Sequence, residues 1–265
     1  MIFKFFNNLK FFISKINVYL KYKKKSIPLA FHWFFFGQDI SNFTYEIENY
    51  NELIHTCHTI TSVPFEELQK ILEEINFDNE EFKKFFSEDF YKKYEKKNIF
   101  GRRLVWYILV RALKPELVIE SGIDRGLGSC LLIYAQYRNS CETKENFEYI
   151  GTDIVKKKRF CFNLENNKFN KFKFIFNDTL NFLSTFSDKK KIIYISDAEH
   201  NFDFELKEFN EIKKNLATNS LLVSDNNSGS LSKFSIANKK KLIYFNEKSK
   251  NFWYKGAVTC VSYFY

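Results

Sequence analysis

Proline and glycine are scarce in this 265-residue chain, at three and eight copies, so no stretch rich in them exists to act as a flexible linker. The five cysteines (Cys57, Cys130, Cys141, Cys161 and Cys260) are scattered, odd in number and never spaced Cys-x-x-Cys. That pattern argues against a disulfide framework and fits a reducing cytoplasm. Long uncharged apolar runs are missing too. The opening segment keeps helical spacing through Phe5, Phe6, Leu9, Phe12, Ile13, Ile16 and Leu20, but three lysines interrupt it. Such a segment cannot cross a bilayer, although it can lie on one. Ser26–Gln38 superficially resembles the apolar core of a signal peptide, yet it contains Pro28 and His32 and lacks a small-x-small cleavage site, so export is not expected. No internal repeat is visible.

Aromatic residues make up 19% of the chain and apolar residues 45%, ample material for a packed core. The length suits one large α/β domain plus an N-terminal extension better than two equal domains. The net charge is +9, of which Lys4, Lys10, Lys15, Lys21, Lys23, Lys24 and Lys25 supply seven before the first acid, Asp39. The remainder therefore carries only +2. A basic arm on a nearly neutral body suits an anionic surface such as a membrane, or serves simply as a solubilising tail. It does not suit a catalytic face that binds nucleic acid.

The expected division is a basic arm and helical lid over residues 1–100, followed by an α/β domain over 101–265. Within the first part, Glu66–Lys97 is charged and helical, with Leu68, Ile71, Leu72 and Ile75 on one face. After Gly101, strand signals appear at Leu117–Glu120, Tyr149–Asp153, Phe172–Phe176, Ile192–Ser196 and Ser220–Ser224. Helical signals fall between them at Leu127–Tyr137, near Lys156–Asn167, at Thr179–Phe186 and at Phe204–Asn215. Repeated βα units imply a doubly wound, mostly parallel sheet. The tail, Leu242–Asn246 and Ala257–Tyr265 around the Lys248–Lys255 loop, reads as a hairpin that gives the sheet an antiparallel edge and seven strands in all.

The first strand runs into Glu120-Ser121-Gly122-Ile123-Asp124-Arg125-Gly126-Leu127-Gly128-Ser129 and then a helix. Glycines there let backbone approach a ligand, and the amides at the helix start favour an anionic group. The spacing is Gly-x-x-x-Gly-x-Gly, not the Gly-x-Gly-x-x-Gly of nicotinamide proteins. A turn that holds no ligand is the alternative. The second strand ends on Asp153, a carboxylate placed to accept from ribose hydroxyls, and the third on Asn177-Asp178. Both aspartates are also good helix caps.

Glu-x-Gly-x-x-x-Gly-x-Gly after strand one, with Asp after strands two and three, resembles class I S-adenosylmethionine-dependent methyltransferases from about Leu113 to Tyr265. The resemblance implies a Rossmann-like methyltransferase fold and S-adenosylmethionine as cofactor. It implies a cofactor site drawn from Glu120, Gly122, Asp124, Gly126, Gly128, Ser129, Asp153 and Asp178. In it, Glu120, Gly122 and Gly126 shape the methionine pocket, Asp153 grips the ribose and Asp178 sits near the adenine.

The fourth strand ends Ser196-Asp197-Ala198-Glu199-His200 and the fifth Ser224-Asp225-Asn226-Asn227. Asp197, Asp225 and Asn226 offer three oxygen ligands to a hard cation such as Mg²⁺, which would make a bound hydroxyl more acidic. Turn chemistry at Asp225-Asn226 is the alternative. The pattern is similar to cation-dependent O-methyltransferases of the catechol type. Those carry a lysine three positions after the first Asp, where this chain has His200, a side chain suited to general base work. Asp-x-x-His also resembles bacterial methyltransferases that modify sugars and secondary metabolites.

The cluster His55-Thr56-Cys57-His58 lacks further zinc ligands at recognisable spacing and is expected to pack. Trp33 is expected in core or lid, and Trp253-Tyr254 over the substrate pocket. The expected function is methyl transfer to the oxygen of a small molecule or sugar, with Asp197 and His200 as catalytic groups. An inactive scaffold of the same fold, anchored through its basic arm, is the competing reading. Nucleic acid is disfavoured as acceptor, because Asp225-Asn226-Asn227-Ser228 lacks the Asn-Pro-Pro-aromatic arrangement of base amino-methylation and the body is not strongly basic.

Overall fold

The computed structural model describes residues 45–87, 90, 100–156, 171–250 and 256–264. The basic arm, the signal-like stretch, Trp33, Cys161, residues 157–167 of an expected helix and Trp253-Tyr254 lie outside them. In chain order the elements are α1 (Tyr50–Thr61), α2 (Phe65–Glu73), α3 (Glu80–Lys83), α4 (Arg103–Leu113), β1 (Leu117–Ser121), α5 (Leu127–Thr143), β2 (Glu148–Asp153) and β3 (Phe172–Phe176). They continue with α6 (Thr179–Thr185), β4 (Ile192–Ser196), α7 (Phe202–Ile212), β5 (Ser220–Ser224), α8 (Ser230–Ala237), β6 (Lys241–Asn246) and β7 (Val258–Phe264). One turn of 3₁₀ helix, Lys213–Asn215, prolongs α7.

The seven strands form one sheet in the order β3-β2-β1-β4-β5-β7-β6, parallel except for β7, which runs antiparallel to both neighbours. This is the doubly wound, mostly parallel Rossmann-like sheet expected from the strand pattern. β1, β4 and β5 are buried along their whole length, as continuous apolar runs covered on both faces must be. Their side chains alternate between two cores. Val118, Ile193, Ile195, Leu221 and Val223 join the layer that holds α4 and α5. Leu117, Ile119, Ile192, Tyr194 and Leu222 join the layer that holds α6, α7 and α8. Each such aliphatic side chain contributes about 1.5–3 kcal/mol through burial, so β1, buried on both faces, anchors the sheet.

Three helices were not anticipated. α4 is buried from Arg103 to Arg111, so it lacks the polar face that reveals a helix by period. α1 carries His55, Thr56 and His58 in its middle, and α8 is rich in serine, which reads as turn. α5 also runs past the expected Tyr137 to Thr143, where Lys144 stops it at φ 63°.

Residues 45–87 and 90 contribute to the first core. Tyr45, Ile47, Leu53, Leu68, Phe82 and Phe90 are buried there with the sheet residues. Arg111 of α4 fastens this region by donating to Glu74 at 2.7 and 2.8 Å and to Glu142 of α5.

Candidate active site

Strand register brings the polar strand ends into line. Ser121 pairs with Thr152 on one side and Ser196 on the other, and Ser196 pairs with Ser224. The strand order reverses between β1 and β4, and in an open α/β sheet the crevice at such a switch point is where ligands bind. A cleft of about 520 Å³ opens there, lined by Gly122, Asp124, Asp153, Asp178, Asp197 and Phe204 among others. That volume lies within the roughly 300–1,000 Å³ of small-molecule sites.

The turn after β1 is shaped by close approach. Gly122 has φ +89°, and a Cβ there would lie 2.4 Å from the Asp197 carbonyl oxygen. Its amide donates to the Thr152 carbonyl at 2.9 Å. Asp124 takes φ 46°, and its amide donates to Asp153 Oδ2 at 2.8 Å. Below the turn, Glu120 is 1% exposed and accepts from the Ser129 hydroxyl at 2.5 Å and from the Tyr149 phenol. Burial pushes the Glu120 pKa up to about 7, although both hydrogen bonds oppose the rise. A Cβ on Gly128 would lie 2.4 Å from Glu120 Oε1, so this glycine lets α5 pack on the buried carboxyl. Of the residues expected to hold a cofactor, Gly122, Asp124, Asp153 and Asp178 line the cleft. Glu120, Gly126, Gly128 and Ser129 are not among its lining residues; Glu120, Gly128 and Ser129 meet beneath the turn.

Asp153 also accepts from the Val155 amide through Oδ1 at 2.8 Å, so it organises both loops that flank it. Asp178 caps α6, with Oδ1 accepting from Leu180 and Asn181 amides at 2.8 and 3.2 Å. The capping role and the cleft position therefore coexist. Beside Asp153 the structure places two apolar side chains that the sequence reading passed over, Ile154 at 74% exposure and Val155 at 47%. Two aliphatic residues directly after the strand-ending carboxylate were the available signal.

On the opposite side Asp197 lines the cleft, whereas His200, Asp225 and Asn226 are not among its lining residues and lie behind or beside it. Asp197, His200 and Asp225 offer ligand atoms within 4.8 Å of one another, as the sequence pattern implied for the two aspartates. Two arginines, not anticipated, close on them. Arg102 donates Nε to Asp225 Oδ1 at 2.7 Å and Nη2 to Asp225 Oδ2, and it also reaches Glu247 at 3.1 Å. Arg103 Nη2 lies 3.9 Å from Asp197 Oδ2. Burial works to raise the Asp225 pKa, but the Arg102 guanidinium outweighs it and holds Asp225 below the usual carboxylate range. Asp197 goes the other way: burial, then the charge of Asp225, push it well above that range.

This donor set does not fit a divalent cation as it stands. Both Asp225 oxygens carry a guanidinium, and Arg103 faces Asp197, so positive charge already occupies the place a dication would fill. The backbone carbonyl of Asn226 accepts from the Ser224 hydroxyl. The His55-to-His58 cluster is structural: His58 Nδ1 lies 2.7 Å from the Val63 carbonyl, its ring stacks on Phe65, and Cys57 is buried in the core with its thiol pKa raised by burial.

No protein-family profile and no curated protein matches the chain. Among solved structures, it is similar to the O-methyltransferase TomG from Streptomyces achromogenes, involved in tomaymycin synthesis and solved with S-adenosylmethionine. That likeness has 11% identity over 70% of this chain and 90% of the other, with a TM-score of 0.46. A Podospora anserina methyltransferase bound to S-adenosylhomocysteine shares 15% identity over 82% and 95% of the two chains, with a TM-score of 0.45. An O-methyltransferase from Bacillus cereus, in complex with S-adenosylhomocysteine, has 11% identity over 60% and 78%, with a TM-score of 0.46. At such identities and TM-scores, the chemistry of this chain has to be read from its own residues.

Proposed function

We propose that this protein is an S-adenosylmethionine-dependent methyltransferase acting on a hydroxyl oxygen of a small molecule or glycan. The observation that carries the reading is the convergence on one cleft of the Gly122–Asp124 turn, Asp153 and Asp178 on one side and Asp197 on the other. When bound, S-adenosylmethionine supplies an electrophilic methyl group on a sulfonium. Asp153 would accept from the ribose hydroxyls, since each of its oxygens keeps a second lone pair after the backbone bond it already makes. Ile154 and Val155 offer an apolar face to the adenine ring, with Asp178 at its edge.

His200 stands at the acceptor side, its Nε2 3.9 Å from Asp197 Oδ1. It takes the acceptor's hydroxyl proton as the oxygen–methyl bond forms and the sulfur–methyl bond breaks. In-line methyl transfer needs mainly positioning and exclusion of water, so few catalytic groups suffice. The arginines on Asp225 and Asp197 favour this metal-independent course. Calorimetry with S-adenosylmethionine and S-adenosylhomocysteine tests the proposal: micromolar binding of both is expected. Binding of neither would refute the enzyme reading and leave the scaffold alternative.

A further inference from the structure

The buried carboxyl of Glu205 is used on one side only. Glu205 lies in the first turn of α7, with Asn201 capping that helix through Oδ1 bonds from the amides of Asp203 and Phe204 at 3.0 and 3.2 Å. Its side chain is fully buried, and Oε2 accepts from two hydroxyls, Ser228 at 2.7 Å and Ser230 at 2.5 Å, with the Ser224 hydroxyl oxygen 3.1 Å away. Oε1 is equally buried and has no hydrogen-bond partner among the described residues. A buried acceptor left unsatisfied is costly, so a donor should reach it. The nearest ring nitrogen is His200 Nδ1, at 4.0 Å. That is about 1 Å beyond hydrogen-bond range, and the His200 side chain, 43% exposed, is free to turn by that amount.

We propose that Glu205 is a positioning residue for His200: its Oε1 accepts from Nδ1–H, fixes that tautomer, and leaves the bare Nε2 turned toward Asp197 at the cleft wall. The two ring nitrogens are already sorted this way, Nδ1 toward Glu205 and Nε2 toward Asp197. Which nitrogen carries the proton is set by the bond the other makes. The hydroxyls of Ser228 and Ser230 hold the Glu205 carboxyl by its far oxygen, so Oε1 keeps its direction. The catalytic meaning of this arrangement rests on the methyl-transfer reading above, but the tautomer itself does not.

Long-range ¹H–¹⁵N NMR on the 265-residue chain at alkaline pH reads the tautomer directly. The His200 signals are identified by their loss in His200→Gln. The wild type should show His200 mainly as Nδ1–H, whereas free histidine in water favours Nε2–H. Glu205→Met, which keeps the length but removes the acceptor, should invert the ratio, and Glu205→Gln, which keeps an acceptor oxygen, should restore much of it. A wild-type His200 found as Nε2–H overturns the proposal without any variant, as does a Glu205→Met protein with an unchanged ratio. S-adenosylhomocysteine calorimetry on the same samples separates the two readings. Lost cofactor binding with the Nδ1–H form intact removes the methyltransferase reading alone, while retained binding with the wrong tautomer removes only this one.

Discussion

Replacing Arg102 by methionine strips the partner from two carboxylates whose side chains are 0% exposed, Asp225 and Glu247. Arg102 also sends its backbone amide to Glu247 Oε2 at 2.6 Å, and Glu247 receives the Tyr45 phenol and the Ala257 amide. Removing one member of a buried ion pair costs about 3–5 kcal/mol, because the remaining charge has neither water nor counter-ion. At about 2–4 °C per kcal/mol for a domain of this size, the melting temperature should fall by about 6–20 °C. Arg102→Lys keeps the charge without the two-pronged geometry and should fall between. In the double variant Arg102→Met/Asp225→Asn no ionised Asp225 is stranded, so its loss should be smaller than the sum of the single losses. The sign with pH follows from the depressed Asp225 pKa. Its stabilisation is full above the unfolded-state value of about 4 and is lost as the pH falls through the lower folded value. In Arg102→Met burial without the guanidinium raises the Asp225 pKa, so the wild-type advantage should begin to shrink as the pH falls through that raised value and go on shrinking through the lower wild-type one. Urea titrations across pH measure all of this. A melting temperature within about 2 °C of wild type for Arg102→Met would refute the account.

Asp153→Ala removes an acceptor for the ribose and the anchor of the Asp124 and Val155 amides. At about 1.5–3 kcal/mol for bonds to a charged group, calorimetry should show S-adenosylhomocysteine affinity reduced roughly 10- to 150-fold, and unaltered affinity would remove the assigned role. Gly122→Ala forces a non-glycine residue to φ +89° and a Cβ to 2.4 Å from the Asp197 carbonyl. A loss of about 1–3 kcal/mol together with abolished cofactor binding is expected, and a fully stable, binding-competent variant contradicts the turn geometry. Glu208, joined to Ser121 and Ser196 hydroxyls, is held up to about 7 from 4.5 by burial. A carboxyl with a raised folded pKa costs stability as the pH climbs from 4.5 to about 7, so Glu208→Gln should gain on wild type between those limits and hold its gain above them. Denaturant midpoints that keep a constant offset across pH would count against it. Titration with Mg²⁺ at millimolar concentration should produce no heat of site binding, and a one-to-one isotherm would show that Asp225 can be shared with Arg102.

The parts of the fold that were legible are those whose physics is local. Leu117 to Ile119, Ile192 to Ile195 and Leu221 to Val223 are apolar without interruption and stop at polar residues, which is how a strand covered on both faces must read. The Gly122 turn, Asp153 and Asp178 were legible for the same reason, since each follows its strand directly. α4 was not, because a helix buried all round has no period to detect. Nor was the state of Asp225, because Arg102 lies 123 positions before it and only the packed sheet brings the two together. A pattern of Asp, His and Asp-Asn invites a cation when read along the chain, and the two guanidiniums change that reading once the chain is folded. Glu205 escaped notice because the two serines that donate to it, Ser228 and Ser230, come after β5 in sequence.

The position of β7 has a consequence for how the protein is made. β7 is the last strand in sequence, yet it sits between β5 and β6 and pairs with both. Until residues 258–264 have left the ribosome, the edge of β5 that ends in Ser224 and Asp225 stays open, and Glu247 lacks the Ala257 amide that closes on it. An open apolar strand edge is a template for association with other chains. Before that strand is in place the Arg102, Asp225 and Glu247 cluster is unfinished and the half-built sheet is sticky. Insertion of β7 ends that exposure.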